Sequence, residues 1–575
     1  MPTGKKDYRS IDFEVHYPTE LQNSFFKGYE DFSITTTFAE GPEYNVTNGF
    51  GLTPVTGAIM YAQGTSSLEY PVKNLRVKIK GDKIKVRPDL APVNLICLKA
   101  DYMESSGSHN TGASNFIDTA YKYIDIATPG QKHFANEKIV TCIKGHPCVV
   151  FWSPTGEEGS YKYIGKYNLN LDKATPEPFG FKYDEADEKF GYEIDENGQL
   201  VLDEKGNKIN SIYCFEFLDN QIDVCNFISR ADAANGVTEQ EKYYSTWYDT
   251  YQNKDKETVP GWTIGFESRY PEDKADFHDA DVLFELASWI NDLYTIRYID
   301  GNEEEALTRF KNEYWKYLDE DFTLAYYVIT EALLMADSRV KNMMIATWGK
   351  EWRTNPKDKN DKHFGYIWYP IFYDMDTMLG LDNTGARTKN YYDEDTQEDV
   401  FNGAEYLWKF VRDGLNGVDV KANVSTFFNR MEQASGILTK SGILPYFNDN
   451  QANLANETFY NEDSIYKYID PYRNGYQDHL NDKWIKPGTG ERLYAAQGDR
   501  SMMREYFVDN RIRYLRGKHV SSSYRNGDRI NFRTNYPDIT EEITEIDAKQ
   551  NASIRAVPPT TAFELTAFKT GFSGV

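Results

Sequence analysis

One segment constrains the fold more than any other. Residues 321–335, "DFTLAYYVITEALLM", are apolar on nearly every side of a helix. Phe322, Tyr326, Ile329 and Leu333 share one face at helical spacing, and the other faces are apolar enough to be covered as well. The segment therefore predicts a helix buried inside the protein. The polar sequence "ADSRVKN" follows it directly, so the helix places an acidic side chain and an amide beyond its C-terminal end.

Two further apolar runs follow this helix, and the second ends in acidic residues. "MMIATW" at 343–348 and "YIWYPIFY" at 366–373 predict two strands, separated by a polar stretch. If these strands pair as a hairpin, the start of the first and the end of the second lie side by side, since neighbouring strands are about 4.8 Å apart. Four side chains then converge at one end of the sheet: Asp337, Asn342, Asp374 and Asp376.

Three carboxylates and a carboxamide form an oxygen-rich group, and hard cations such as Mg²⁺ prefer such ligands. An aspartate that holds no metal could accept a proton from a hydroxyl group. The spacing from Asp337 to Asn342 equals the D-x-x-x-x-N spacing of the protein-kinase catalytic loop, and Asp374 or Asp376 takes the place of the second metal-binding aspartate. The alternative interpretation is that these acids are solvated residues in turns after a core helix.

The composition restricts the classes of partner. The formal net charge of −25 argues against general binding to nucleic acid or to an anionic membrane. The N-terminus lacks the apolar core of a secretory signal, and no apolar run is long enough for a transmembrane span. We therefore expect synthesis in the cytoplasm. The 5 cysteines form no C-x-x-C pair and predict buried free thiols, with a disulfide or a zinc site as the alternative.

The secondary-structure pattern predicts an α+β protein in two lobes with a cleft between them. Within the β-rich part, residues 180–218 contain the turn signals Asn197-Gly198 and Lys205-Gly206-Asn207, which indicate an inserted hairpin meander. The chain divides into an N-terminal lead-in or arm (1–55), a main domain (56–520) made of a β-rich lobe (56–260) and a helical lobe (261–520), and a β-rich C-terminal extension (521–575) that could begin a further domain.

Several stretches resemble the spore-coat protein H (CotH) kinase family, an atypical branch of the protein-kinase-like fold. "YLDEDFTLAYYVITEALLMADSRVKN" is similar to the family's helix and catalytic loop, and "FYDMDTMLG" to its metal-binding Asp-x-Asp motif. Other stretches resemble further motifs of the family, in the family's order: "YAQGTSSLEYPVKNLRVKI", "LKADYMESSGSHN", "YIGKYNLNLDK", "FESRYPED" and "REYFVDNRIRYL". The resemblance covers roughly residues 56–520, with insertions.

This resemblance implies a two-lobed protein-kinase-like fold of the CotH type, with a β-rich N-terminal lobe and a helical C-terminal lobe. It also implies that Mg²⁺ and ATP are used to phosphorylate a protein hydroxyl. By the same resemblance, Asp337 is the catalytic base, and Asn342 together with Asp374 or Asp376 are the metal ligands.

The phosphate-binding residues implied by the resemblance lie near the start of the β-rich lobe. Lys73 is the lysine that would pair with phosphate, and a solvated strand lysine is the alternative for that position. The turn formed by Gly64, Thr65, Ser66 and Ser67 would approach the nucleotide phosphates with backbone N–H groups and hydroxyls. The chain has no G-x-G-x-x-G motif, so this loop differs from that of the common kinases.

Several departures from the family pattern also affect the phosphate-binding half. Gln63 stands where the family has Arg, and Val72 replaces the first lysine of a Lys-Lys pair. Glu104 and residues 107–109 depart from a pattern that contains a further Arg, and Arg339 takes a position that is often His. The metal-binding half looks intact by comparison. This combination predicts a weak kinase or a pseudokinase.

A second hypothesis belongs to a different functional class. The missing arginines, the inserted meander and the β-like C-terminal extension suit a structural or assembly protein that retains a kinase-like scaffold. Such a chain could be a subunit of a large particle, for example the tail or head of a bacterial virus, and would then be associated with the virion. Its partners would be other subunits, whereas those of a kinase would be protein substrates.

Overall fold

The computed structural model of this chain is an α+β protein with mainly antiparallel sheets and several helices, in agreement with the sequence pattern. Most of the lead-in and the whole extension 521–575 lie outside the residues that the structure describes. The described residues are 9–16, 44–46, 58–64, 74–79, 83–86, 90–101, 107–124, 140–153, 162–181, 189–217, 248–252, 258–262, 266–271, 281–335, 337–339, 342–380, 406–415, 423–434, 436–452 and 497–520.

The described strands and helices are numbered here along the chain. The strands are β1 (Arg9–His16), β2 (Tyr44–Val46), β3 (Ala58–Gln63), β4 (Asn74–Ile79), β5 (Leu95–Lys99), β6 (Gly145–Ser153), β7 (Lys162–Leu171), β8 (Tyr213–Phe217), β9 (Tyr248–Gln252), β10 (Thr258–Trp262), β11 (Phe266–Tyr270), β12 (Met343–Thr347), β13 (Lys350–Thr354), β14 (Lys362–Tyr366) and β15 (Tyr369–Phe372). The helices are α1 (His109–Ile124), α2 (Asp281–Tyr294), α3 (Glu303–Glu313), α4 (Glu320–Leu333), α5 (Tyr406–Gly414), α6 (Val424–Asn429), α7 (Lys440–Ala452) and α8 (Gln497–Val520).

Seven strands close into a barrel in the order β1-β2-β3-β4-β5-β7-β6, which the antiparallel pairing of β1 with β6 completes. In β4, Leu75, Val77 and Ile79 are buried, while the residues between them are more exposed. This period of two fits a strand with one face on the core. β5 and β7 pair with Lys99 opposite Asn168, which places two polar side chains on the same face of the barrel wall.

A four-stranded antiparallel sheet in the order β11-β8-β12-β15 carries the apolar runs that flank the polar stretch. Met343 of β12 lies opposite Phe372 of β15, so the pairing expected from the sequence is confirmed. The polar stretch between them forms its own ribbon of β13 and β14. Every residue of β12 and β15 is buried, and a change of register would therefore disturb core packing on both strands.

Helix α4 is buried on all sides, as the sequence predicts. Asp319 caps its N-terminus, because the carboxylate accepts a hydrogen bond from the backbone N–H three residues later at 3.1 Å. Tyr326 stacks between Trp408 of α5 and Phe372 of β15, with ring centroids 4.8 and 4.2 Å apart. Leu334 ends the helix in a left-handed conformation with φ of 47°, and this turn directs the chain into the loop that holds the predicted catalytic aspartate.

The predicted insertion at 180–218 is a meander only in part. Ile194 pairs with Leu200 and Leu202 with Lys208, around two glycine turns. Residues 213–217 instead form β8, which lies between β11 and β12 in the four-stranded sheet. All five residues of β8 are buried, because they pair on both sides. The end of the predicted insertion is therefore part of the central core.

The described cysteines agree with the expectation of buried free thiols. The described cysteines are free and buried, and Cys225 lies outside the described residues. In the part of the chain that the structure describes, no helix combines the length and apolar character needed to cross a membrane. The free, buried cysteines are Cys97, Cys142, Cys148 and Cys214.

A buried ionic group fixes α8 against α4. The carboxylate of Glu331, inside α4, lies 2.6 Å from Lys518 Nζ and 2.9 Å from His519 Nε2. Arg511 donates to the backbone carbonyl of Glu331 at 2.8 Å. Burial alone would raise the pKa of Glu331, but Lys518, His519 and Arg511 hold it well below its usual value. The last described helix is thus tied to the helix that precedes the candidate site.

We expect Glu331→Gln to lower the free energy of unfolding by about 3–5 kcal/mol, because Lys518 and His519 would face a neutral amide. The folded-state pKa of Glu331 lies below its unfolded value of 4.5, so its carboxylate stabilises the fold above that pH and ceases to do so as the pH falls through the folded-state pKa. The difference in Tm from wild type, measured by calorimetry, should therefore be largest near neutral pH and shrink below pH 4.5. Glu304→Gln, at an exposed position on α3, is the control; an equal loss in both variants would contradict the prediction.

Candidate functional site

The pairing of β12 with β15 brings the residues predicted from the sequence to one end of the sheet. Asn342 immediately precedes β12, and Asp374 and Asp376 follow β15. Because the two strands are antiparallel, the start of β12 and the end of β15 lie at the same end of the pair. Asp337 is buried in the turn after α4. The charges of Asp374 and Asp337 both help to raise the pKa of the buried Asp376 carboxyl, so Asp337 lies within electrostatic range of Asp376. We call these four residues the acidic group.

A lysine to which the sequence analysis assigned no role faces the acidic group. Lys99, the last residue of β5, places its Nζ 3.3 Å from Asp374 Oδ1. Burial alone would lower the pKa of Lys99, but Asp374, Tyr373 and Asp376 help to raise it well above its usual value, so the amine stays charged. Lys99 lies in the stretch "LKADY", which already carried the family resemblance. That motif is the sequence signal that could have identified Lys99 as a site residue.

Most of the predicted phosphate-binding residues cannot be compared with the structure. Gly64 is described: it lies exposed at the end of β3 with φ of 127°, a conformation that glycine adopts without a steric penalty. Its position fits a turn at the end of this strand. The residues of this prediction that lie outside the described residues are Lys73, Thr65, Ser66 and Ser67.

The carboxylates of the acidic group repel one another. Burial, together with the charges of Asp374, Asp101 and Asp337, raises the pKa of Asp376 well above its usual range. Lys99 opposes this shift but does not cancel it. A divalent cation bound beside these carboxylates would favour the charged form of Asp376 and would oppose this shift of its pKa.

The backbone around the acidic group is strained. A non-glycine residue in the left-handed region costs on the order of 1 kcal/mol or more, and leucine tolerates it less well than asparagine or aspartate. Such strain persists only where the surrounding structure holds the segment in place, and it concentrates at functional sites. In the described part of the chain, the non-glycine residues with positive φ are Asp101 (43°), Leu334 (47°), Asn342 (53°), Asp374 (49°) and Leu379 (54°).

Arg339, at a position where the family often has His, holds the loop after α4 against that helix. Its Nε donates to Thr330 Oγ1 at 2.9 Å and its Nη2 to the carbonyl oxygen of Tyr327 at 2.9 Å. The guanidinium also stacks on the Tyr327 ring, 4.0 Å from the centroid. These contacts fix the segment that contains Asp337, and they give this buried arginine a positioning role.

Gln63, at a position where the CotH family has arginine, lies beside another polar group of the barrel. Cys97 Sγ lies 2.9 Å from Gln63 Oε1 and 3.0 Å from Asp172 Oδ2. Arg76 pairs with the same Asp172 at 2.8 Å. The charge of Arg76 is thus balanced by a buried carboxylate, and Gln63 itself contributes a neutral amide.

The donor set fits Mg²⁺ that is held jointly by protein and phosphate oxygens. Among the described residues, no three or more side chains of His, Cys, Asp or Glu are grouped so that they could hold a metal ion by themselves. Mg²⁺ does not need such a group, since it is usually bound by one or two carboxylates together with phosphates and water. Asp374 and Asp376 would supply the carboxylates and Asn342 an amide oxygen, and the charged Lys99 would suit a phosphate.

Neither the scan against models of known protein families nor the search of curated proteins finds a match for this chain.

We expect Asp376→Asn to raise the Tm of the metal-free protein at neutral pH. The pKa of Asp376 is raised in the fold, so its ionisation destabilises the folded state as the pH rises through that pKa. The gain in Tm should be larger at pH 7.5 than at pH 5, in buffers with a chelator. The same variant should lose any rise in Tm caused by MgCl₂ with ATP.

The control for this measurement is Asp300→Asn, an exposed aspartate after α2, which should match wild type in both buffers. A lower Tm for Asp376→Asn at both pH values would show that this carboxyl stabilises the fold, which is the opposite of our expectation.

Proposed function

We propose that this chain is a CotH-like protein kinase, a two-lobed kinase-like domain that binds Mg²⁺ and ATP and transfers phosphate to a protein hydroxyl. The observation that supports the proposal is the β12–β15 pairing, which sets Asn342 beside the segment that carries Asp374 and Asp376. Lys99 contacts Asp374, and the charge of Asp337 acts on Asp376. In this proposal the barrel strands that lead to Lys99 contribute the nucleotide side of the site, and α4 with its following loop contributes the catalytic side.

Each residue of the acidic group has a role in this chemistry. Asp374, Asp376 and Asn342 would hold Mg²⁺, and the bound ion would neutralise charge on the phosphates. Lys99 pairs with a phosphate oxygen. The acceptor hydroxyl oxygen bonds to the γ-phosphorus, the bond from that phosphorus to the β–γ bridging oxygen breaks, and ADP leaves. The hydroxyl proton passes to Asp337.

The departures from the family pattern predict slow turnover. Catalysis of phosphoryl transfer depends largely on fixed positive charge around the transferring group. Gln63 supplies no charge, Arg76 is paired with Asp172, and Arg339 is bonded to α4. Nucleotide binding should therefore survive better than the rate of transfer.

The direct test is isothermal titration with ATP in excess MgCl₂. Wild type should bind, and Asp374→Asn should weaken the affinity at least tenfold, because it removes a metal-binding carboxylate and the partner of Lys99. Asp300→Asn is the matched control and should bind like wild type. Binding that is equal in wild type and Asp374→Asn would contradict the assignment of the metal site.

A second titration separates the two candidate lysines. We expect Lys99→Met to reduce ATP affinity about tenfold or more, because a charge-assisted bond to phosphate is lost. Lys73→Met should have the smaller effect, and Lys78→Met, at an exposed position on β4, should have none. The reverse order of Lys99→Met and Lys73→Met would assign the phosphate contact to the lysine named by the family resemblance.

A structural role in a larger particle, such as the tail or head of a bacterial virus, is the second candidate. Two large apolar side chains favour it: Trp352 on β13 is 48% exposed and Leu202 in the meander is 52% exposed. Trp352 also donates from its indole nitrogen to the carbonyl oxygen of Glu196 at 3.0 Å, which joins the ribbon to the meander. Absence of ATP binding by wild type, together with co-purification in a large assembly, would favour this role over catalysis.

A further inference from the structure

The first turn of α1 contacts the backbone of the segment that carries Asp374 and Asp376. Asn110 Oδ1 accepts a hydrogen bond from the backbone N–H of Met375 at 2.7 Å. His109 Nδ1 lies 2.9 Å from the carbonyl oxygen of Asp376. Two consecutive residues of α1 thus bind the peptide groups between and after the two aspartates.

Asn110 is itself held by buried partners. Its Nδ2 donates to Asp101 Oδ1 at 2.9 Å, and the other oxygen of Asp101 accepts from Asn168 Nδ2 at 2.5 Å. Asn168, on β7, also donates to the carbonyl oxygen of Gly107 at 3.0 Å. Asp101, Asn110 and Asn168 are all buried. A continuous chain of hydrogen bonds therefore runs from the barrel wall to Met375.

This chain acts where the backbone most needs support. Asp374 has φ of 49°, and Asp101 has φ of 43°, so both are in a conformation that residues with a Cβ atom leave when their surroundings allow it. The N–H of Met375 is the first backbone donor after Asp374. A buried donor that loses its acceptor is costly, so the bond to Asn110 opposes relaxation of the strained segment.

We propose that Asp101 and Asn110 are positioning residues, which place Asp374 and Asp376 for cation binding through the backbone N–H of Met375. What the two aspartates bind rests on the proposed function. The ordering of their segment by Asn110 does not, and it can be measured in the protein without any nucleotide.

A reciprocal exchange tests the chain of hydrogen bonds. Asn110→Asp alone sets two carboxylates against each other, and Asp101→Asn alone sets two amide donors against each other at its contact with Asn110 or with Asn168. The double variant Asp101→Asn/Asn110→Asp restores the three hydrogen bonds described above. The new amide accepts from Asn168 and donates to the new carboxylate, whose other oxygen accepts from Met375. Charge and volume are conserved.

Two measurements on the full chain follow the variants. The first is hydrogen exchange, by mass spectrometry, of the peptide that covers residues 373–380 in nucleotide-free protein. The second is isothermal titration with ATP in excess MgCl₂. Asn110→Ala and both single variants, Asn110→Asp and Asp101→Asn, should speed hydrogen exchange of this peptide. They should also weaken the affinity for ATP about tenfold, which is the effect of one lost buried hydrogen bond. The double variant should return to within about threefold of wild type.

Asn115→Ala is the matched control, because Asn115 lies half-buried on the same helix, and it should leave both measurements unchanged. A purely structural role for Asn110 would lower Tm without a selective change at residues 373–380. The proposal is overturned if the double variant is no better than the worse single variant or fails to fold, or if Asn115→Ala matches Asn110→Ala.

The test also separates this proposal from the proposed function. If wild type binds no ATP, the kinase function fails, and the exchange rates of residues 373–380 alone decide the positioning role. If wild type binds ATP and the substitutions at positions 101 and 110 alter neither ATP affinity nor hydrogen exchange, the kinase function stands and the positioning role is wrong. If Asn110→Ala does not fold, the two single exchanges and the double variant decide.

Discussion

The antiparallel pairing of β12 with β15 is the constraint on which the candidate site depends. Asn342 and Asp374 belong to segments that meet only because Met343 lies opposite Phe372. A slip of two residues would separate them by about 7 Å, since a strand advances roughly 3.4 Å per residue, and they could then no longer share one cation. The buried side chains on both strands oppose such a slip. Core packing therefore sets the distance between polar groups that do not themselves pack in the core.

The acidic group is unfavourable for folding, and neighbouring elements offset its cost. Burial and the neighbouring carboxylates raise the pKa of Asp376, and several nearby residues have a left-handed backbone. Stabilisation comes from α4, which is buried on all sides, and from the buried contacts of Glu331 with α8. A rigid helix on one side and a fixed strand pair on the other leave the strained loops little freedom to relax. This division between a stable frame and a costly site is common where geometry serves binding.

The parts of the site that were predictable from the sequence are those with short-range signals. A long apolar run indicates the helix before Asp337. Two shorter apolar runs with polar residues at their ends indicate the strands at 343–347 and 369–372. Lys99 and Asn110 could not be placed, because their partners are 275 and 265 residues away along the chain. Helix α1 did leave a signal that was missed: Ala113, Phe116, Ile117 and Ala120 are buried at helical spacing. The strand β8 was assigned to an insertion because adjacent glycine turns masked its apolar run.

Lys99 and Asp101 connect two aspects of the site, since they lie two residues apart at the end of β5. Lys99 compensates Asp374 directly, and Asp101 holds Asn110, which binds Met375. The end of β5 thus affects both the charge and the backbone of the segment that carries Asp374 and Asp376. In the proposed function, Lys99 can turn from Asp374 to a phosphate oxygen without leaving that carboxylate uncompensated, provided that a cation has bound there. This change of partner requires that Asp374 stay in place when Lys99 leaves it. The hydrogen bond that Asn110 accepts from the backbone N–H of Met375 holds the segment of Asp374 independently of Lys99.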